Sequence, residues 1–141
     1  MKRERIFLLV LLIAIVSWCG VNRIVSNAVS KELVPDCVVS NCLADKYLLT
    51  IIANREKIED KTEFAEELIE QVRNDGFRKI KFFFEDTGEY PTGLRMSIYL
   101  TEGDWQDRDT EPYMVVSFRQ ENMMDGYNIV ENYERFKLKI D

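Results

Sequence analysis

Apolar side chains recur along this chain with three different periods, and each period predicts a different element. From Ile6 to Asn22 there are seventeen residues without one charged side chain, bounded by Lys2, Arg3 and Arg5 on one side and Arg23 on the other. As a helix this stretch is about 26 Å long, just short of a hydrocarbon core of about 30 Å, so it spans a membrane with little room for tilt. The basic side belongs in the cytoplasm, which places everything after Arg23 outside.

At residues 62–74 the period is helical. Phe64, Ala65, Leu68, Ile69 and Val72 form one apolar stripe, Asp60 with Glu63 offers a capping box, and Asn74-Asp75-Gly76 supplies the stop. Beyond it the period drops to two, the signature of half-buried strands. Residues 78–86 alternate Ile80, Phe82 and Phe84 against Lys79, Lys81 and Glu85, and residues 94–101 alternate Leu94, Met96, Ile98 and Leu100 against Arg95, Ser97 and Tyr99. A turn-rich loop over 87–93 makes these two a predicted hairpin. Residues 113–119 and 136–140 continue the pattern through Met114, Val116, Phe118 and Phe136, Leu138, Ile140, with a short helix or more strand over 129–135. Residues 47–53, with Leu48, Leu49, Ile51 and Ile52, suit a buried strand.

These elements predict an α+β protein: an N-terminal transmembrane or signal helix, then a small two-layer domain in which an antiparallel sheet of three to five strands packs on one amphipathic helix. The expected division is a signal-anchor or signal segment over 1–23, a stalk or linker carrying a cysteine pair over 24–45, and the extracytoplasmic domain over 46–141. The leader has three competing fates. Ser26-Asn27-Ala28 fits a cleavage site, but Arg23 charges the region that should be neutral. Val16, Ser17, Cys19 and Gly20 resemble a bacterial lipobox that would lipidate Cys19, but Trp18 stands where that pattern requires a small residue. An uncleaved anchor, reaching the membrane through residues 6–22, fits both departures.

Composition narrows the function classes. The 141 residues are 46% hydrophobic and 11% aromatic, enough to build a core. Residues 1–23 carry four basic groups and one acidic group, a net of +3, so the total of −6 leaves −9 for residues 24–141. So acidic a domain disfavours nucleic acid and anionic lipid headgroups as partners and leaves cations and basic partners open. There is no histidine, which removes the usual general base, the usual activator of a nucleophile and the commonest zinc ligand.

The candidate chemistry lies in two places. Cys37 and Cys42, spaced C-x4-C in an oxidising compartment, are expected to form a short-loop disulfide, against two free thiols. The segment 102–111 holds five carboxylates in ten residues. Asp104, Asp107 and Asp109 offer clustered oxygens for calcium, although the spacing is not that of an EF-hand and Arg108 competes as counter-ion. Trp105 among them offers a stacking face for a sugar ring. The reading preferred on these grounds is a non-enzymatic, membrane-anchored extracytoplasmic domain that binds a protein or cell-wall component of a bacterial envelope. The alternatives are a small carboxylate-dependent hydrolase of envelope polysaccharide and a calcium-binding structural module.

Overall fold

The computed structural model describes residues 34–84, 88–121 and 126–141. The predicted anchor over 6–22, Cys19 and the cleavage site at Ala28 lie outside the described residues. Among those described, no helix is long and apolar enough to cross a membrane.

The domain is one compact unit, Pro35–Asp141. Five strands form a sheet in the order of the sequence: β1 (Asp36–Leu43), β2 (Lys46–Ile52), β3 (Gly93–Tyr99), β4 (Met114–Gln120) and β5 (Phe136–Ile140). Two helices, α1 (Lys61–Arg73) and the short α2 (Glu102–Gln106), and a 3-10 turn at Tyr133–Arg135 complete the described elements. The α+β class stands, but the sheet is mixed. β2 and β3 run parallel, because the chain between them is a crossover containing α1 rather than a tight turn, and a crossover returns the strand in the same direction. The other three pairings are antiparallel.

Helix α1 forms where its caps and stripe predict. The Asp60 carboxylate accepts from the backbone N–H groups of Thr62 and Glu63 at 2.8 and 3.0 Å, a cap that contributes about 1 kcal/mol. The left-handed residue at its end is Asp75 (φ 52°), not Gly76, and the Gly76 N–H closes the last turn on the Gln71 carbonyl at 2.7 Å. Phe64, Ala65, Leu68, Ile69 and Val72 are all buried, in one core with Leu49, Ile51, Met96, Ile98, Val116 and Phe118 of the sheet. The helix therefore covers one face of the sheet.

Two expectations are corrected. Residues 78–84 make no ladder, so the predicted hairpin with 94–101 does not form; β3 already has β2 and β4 on its two edges. The alternation there is real but serves packing. Phe82 and Phe84 are buried, stack on each other with centroids 5.3 Å apart and meet the Tyr47 ring edge-on, while Phe83 between them is exposed at φ 52°. The second correction concerns the predicted linker. The domain begins at Pro35 rather than at residue 46, because residues 36–43 are edge strand β1, paired with β2 through a two-residue turn at Ala44 (φ 47°) and Asp45 (φ 65°). Positive φ at both turn residues matches the right-handed twist of a hairpin.

The cysteine pair changes with that strand. Cys37 and Cys42 are free thiols, the first buried and the second exposed. Five residues of extended chain hold them about 16 Å apart, far beyond the separation of about 4–7 Å that a disulfide bridges. The expected bridge is incompatible with β1. Buried Asp36, at the start of the same strand, ties down the chain after α1. Its Oδ1 accepts the Lys79 N–H at 3.3 Å, and its Oδ2 lies 3.8 Å from the Arg78 guanidinium and 3.9 Å from Lys79 Nζ.

Candidate functional site

The face of the sheet opposite α1 is built by the alternate residues of each strand. The register aligns Lys46 of β2 with Gly93 of β3, Gly93 with Arg119 of β4, and Arg119 with Lys137 of β5. The next row aligns Leu48, Arg95, Ser117 and Lys139. Five cations of an otherwise acidic domain thus share one face. They surround an open depression of about 1040 Å³ whose lining includes all five, with Gly93, Leu48 and Ser117 between them.

Gly93 shapes the floor. A Cβ added there would lie 3.5 Å from the Phe118 carbonyl oxygen, 3.8 Å from Lys46 Cγ and 4.0 Å from Arg119 Cβ, so the Lys46 and Arg119 side chains flank the glycine at ordinary contact distance. Arg95, two residues along the same strand and on the same face, closes the third side.

The five cations are not equivalent. Lys137 is neutralised by Glu121 at 2.7 Å, and Lys139 pairs with Asp141. Lys46, Arg95 and Arg119 are exposed, and none of the ion pairs among the described residues includes them. The charges of Arg95 and Arg119 reach Asp141, whose carboxyl is held below its usual range first by the Lys139 hydrogen bond and then by the charges of Lys139, Arg95 and Arg119. Two guanidinium groups and one ammonium thus lie around a glycine, an arrangement whose chemistry suits an anion with several oxygens.

The residues singled out in the sequence lie elsewhere. Glu102–Gln106 is helix α2, beyond the C-terminal end of β3, whereas Gly93 begins that strand about 20 Å away. Asp104 is spent on a capping box: its carboxylate accepts from the Thr101 N–H at 3.0 Å and the Thr101 hydroxyl at 2.8 Å, while its own N–H donates to Thr101 Oγ1 at 3.2 Å. Asp107 accepts from the Thr110 hydroxyl at 2.8 Å and the Asp109 N–H at 3.1 Å, and these two bonds hold its carboxyl below the usual range. Asp109 is exposed and Trp105 half-buried. Among the described residues, no group of three or more acidic or cysteine side chains is placed to hold a metal ion. Two of the three carboxylates named as calcium ligands, Asp104 and Asp107, therefore accept hydrogen bonds within their own turn.

Arg95 and Arg119 were legible singly, as polar positions in two of the expected strands, while Lys46 lies one residue before the strand expected over 47–53. Their convergence depends on the parallel β2–β3 register, which joins segments more than forty residues apart and leaves no local mark in the sequence. Comparison with known proteins matches no family model, no curated protein and no solved structure.

Proposed function

We propose that this chain is a non-enzymatic, membrane-anchored binding domain of the bacterial cell envelope, held by residues 6–22 with its C-terminal domain outside the cytoplasm. Its contact surface is the open face of the sheet. The observation that carries this reading is the trio Lys46, Arg95 and Arg119, set around Gly93 without ion-pair partners among the described residues, in a domain of net negative charge. Cations left exposed and unpaired while two neighbours are neutralised by Glu121 and Asp141 are the mark of a surface that meets its counter-charge in a partner. The apolar stretch bounded by Lys2, Arg3 and Arg5 supplies the anchor and its orientation. The absence of histidine from the whole chain supports binding over catalysis.

Cys42 provides the test, because it is exposed on the domain while Cys37 is buried. Intact bacterial cells expressing the full chain are treated briefly with a mild reductant and then with a membrane-impermeant maleimide. Label is expected on the wild type before lysis and not on Cys42→Ser. Label that reaches Cys42 only after lysis overturns the extracytoplasmic assignment.

A further inference from the structure

We infer that the depression around Gly93 binds the phosphate groups of an anionic, phosphodiester-type envelope polymer. The inference deepens the binding reading above and rests on it.

Three features of the face point to phosphate rather than to carboxylate. Lys46, Arg95 and Arg119 come from three adjacent strands, about 4.8 Å apart, and line one depression on the same face. A tetrahedral anion with several free oxygens accepts all three. A planar carboxylate is satisfied by a single guanidinium fork, which would leave the other two cations unused. The Ser117 hydroxyl, in register with Arg95 and lining the same depression, adds a neutral donor.

Two further features point to a polymer. The lining runs from Lys46 on β2 to Lys137 and Lys139 on β5, three strand spacings or about 14 Å, which is longer than one phosphate needs. Beyond the central trio the strip continues with the two cations already balanced by Glu121 and Asp141, so charge density falls toward one end and the strongest site is the glycine floor. None of the lining residues is aromatic. With nothing to stack on a base, the ligand is read through its phosphates and not as a nucleic acid. The opposite layer confines the partner to this face, since Glu63, Glu66, Glu67 and Glu70 of α1 repel a polyanion there.

The test uses the full chain in non-ionic detergent micelles. Fluorescently end-labelled polyphosphate is titrated and followed by anisotropy, with inorganic pyrophosphate as competitor and poly-glutamate of matched charge as comparison. Saturable binding is expected, with affinity falling as salt rises. Lys46→Gln, Arg95→Gln and Arg119→Gln should each weaken binding about tenfold, since one charge-assisted contact is worth about 1.4 kcal/mol or more. Gly93→Thr keeps every charge, fills the floor and suits a strand, and it should weaken binding comparably with an unchanged circular dichroism spectrum. Lys57→Gln and Lys81→Gln, off this face, should leave binding unchanged.

Four results would overturn the inference: no binding of polyphosphate, equal affinity for poly-glutamate, indifference to Gly93→Thr while the charge variants weaken, or binding to micelles doped with anionic phospholipid but not to the soluble polymer. If Cys42 is labelled on intact cells and any of these results is found, the extracytoplasmic placement stands and the phosphate ligand does not.

Discussion

Cys37 shows how one residue can be reassigned by the strand that contains it. In the sequence it pairs naturally with Cys42, but in β1 it is a buried, isolated thiol whose Sγ donates to the Val39 carbonyl at 3.3 Å. Burial, with the Asp36 charge beside it, pushes its pKa from the ordinary 9.0 up to about 12, against a smaller opposing effect of the Val39 bond. The folded state therefore holds this proton more tightly than the unfolded chain does. The stability it contributes is fully present below about pH 9 and is lost as the pH climbs toward 12. Between pH 8 and pH 10.5 the wild type should lose stability on the order of 1 kcal/mol more than Cys37→Ala, read from urea midpoints at the two pH values. Equal losses in the two proteins would show that the thiol does not titrate differently on folding.

At the scale of elements, the sequence was informative wherever the local signal and the tertiary role agreed. The α1 stripe lies between a side-chain cap and a left-handed stop, so propensity, capping and burial coincide. Strands β3, β4 and β5 alternate cleanly because one face of the sheet is covered and the other is wet. The two misreadings share a cause, which is that alternation reports burial and not pairing. Phe82 and Phe84 alternate with exposed residues, yet β3, their expected partner, already has β2 and β4 on its two sides. Conversely, β1 is a strand whose alternation is broken between Cys37 and Val39, where the register slips and Val38 drops out of the ladder. Its hairpin was also hidden, because the turn is Ala44-Asp45 where Asn-Gly would have announced it. That substitution has a measurable cost. Alanine at φ 47° is in the left-handed region that Asn tolerates better, so Ala44→Asn should raise stability by about 0.5–1 kcal/mol, seen as a higher urea midpoint with an unchanged slope. A neutral or destabilising result would mean that the turn relaxes out of the positive-φ geometry. The bulge in β1 and the two lysines of β5 sit on the two edges of the sheet, where both discourage pairing with another chain.

For the whole molecule, a single net charge hides the fact that the charge is layered. A value of −9 for residues 24–141 describes a repulsive sphere, yet the fold puts Glu63, Glu66, Glu67 and Glu70 on the helix layer and Lys46, Arg95, Arg119, Lys137 and Lys139 on the open sheet face. At a Debye length of about 10 Å in 0.1 M salt, a ligand at the Gly93 floor responds mainly to the near face. Concentrating like charge also strains the sheet. Arg119 stands directly across the ladder from Lys137, a like-charge pairing that costs roughly 0.2–1 kcal/mol. On the proposed reading a partner would add counter-charge here beyond the Glu121 carboxylate that already pairs with Lys137. Arg119→Gln should therefore stabilise the ligand-free protein by up to about 1 kcal/mol in 20 mM salt. The gain should shrink toward zero in 0.5 M salt, where the repulsion is screened, and it should come together with the loss of polyphosphate affinity. Urea midpoints of the two proteins across that salt range give the measurement. A loss of stability on substitution, or a gain that persists at high salt, would show that Arg119 is held in the sheet for packing and not kept there for a ligand.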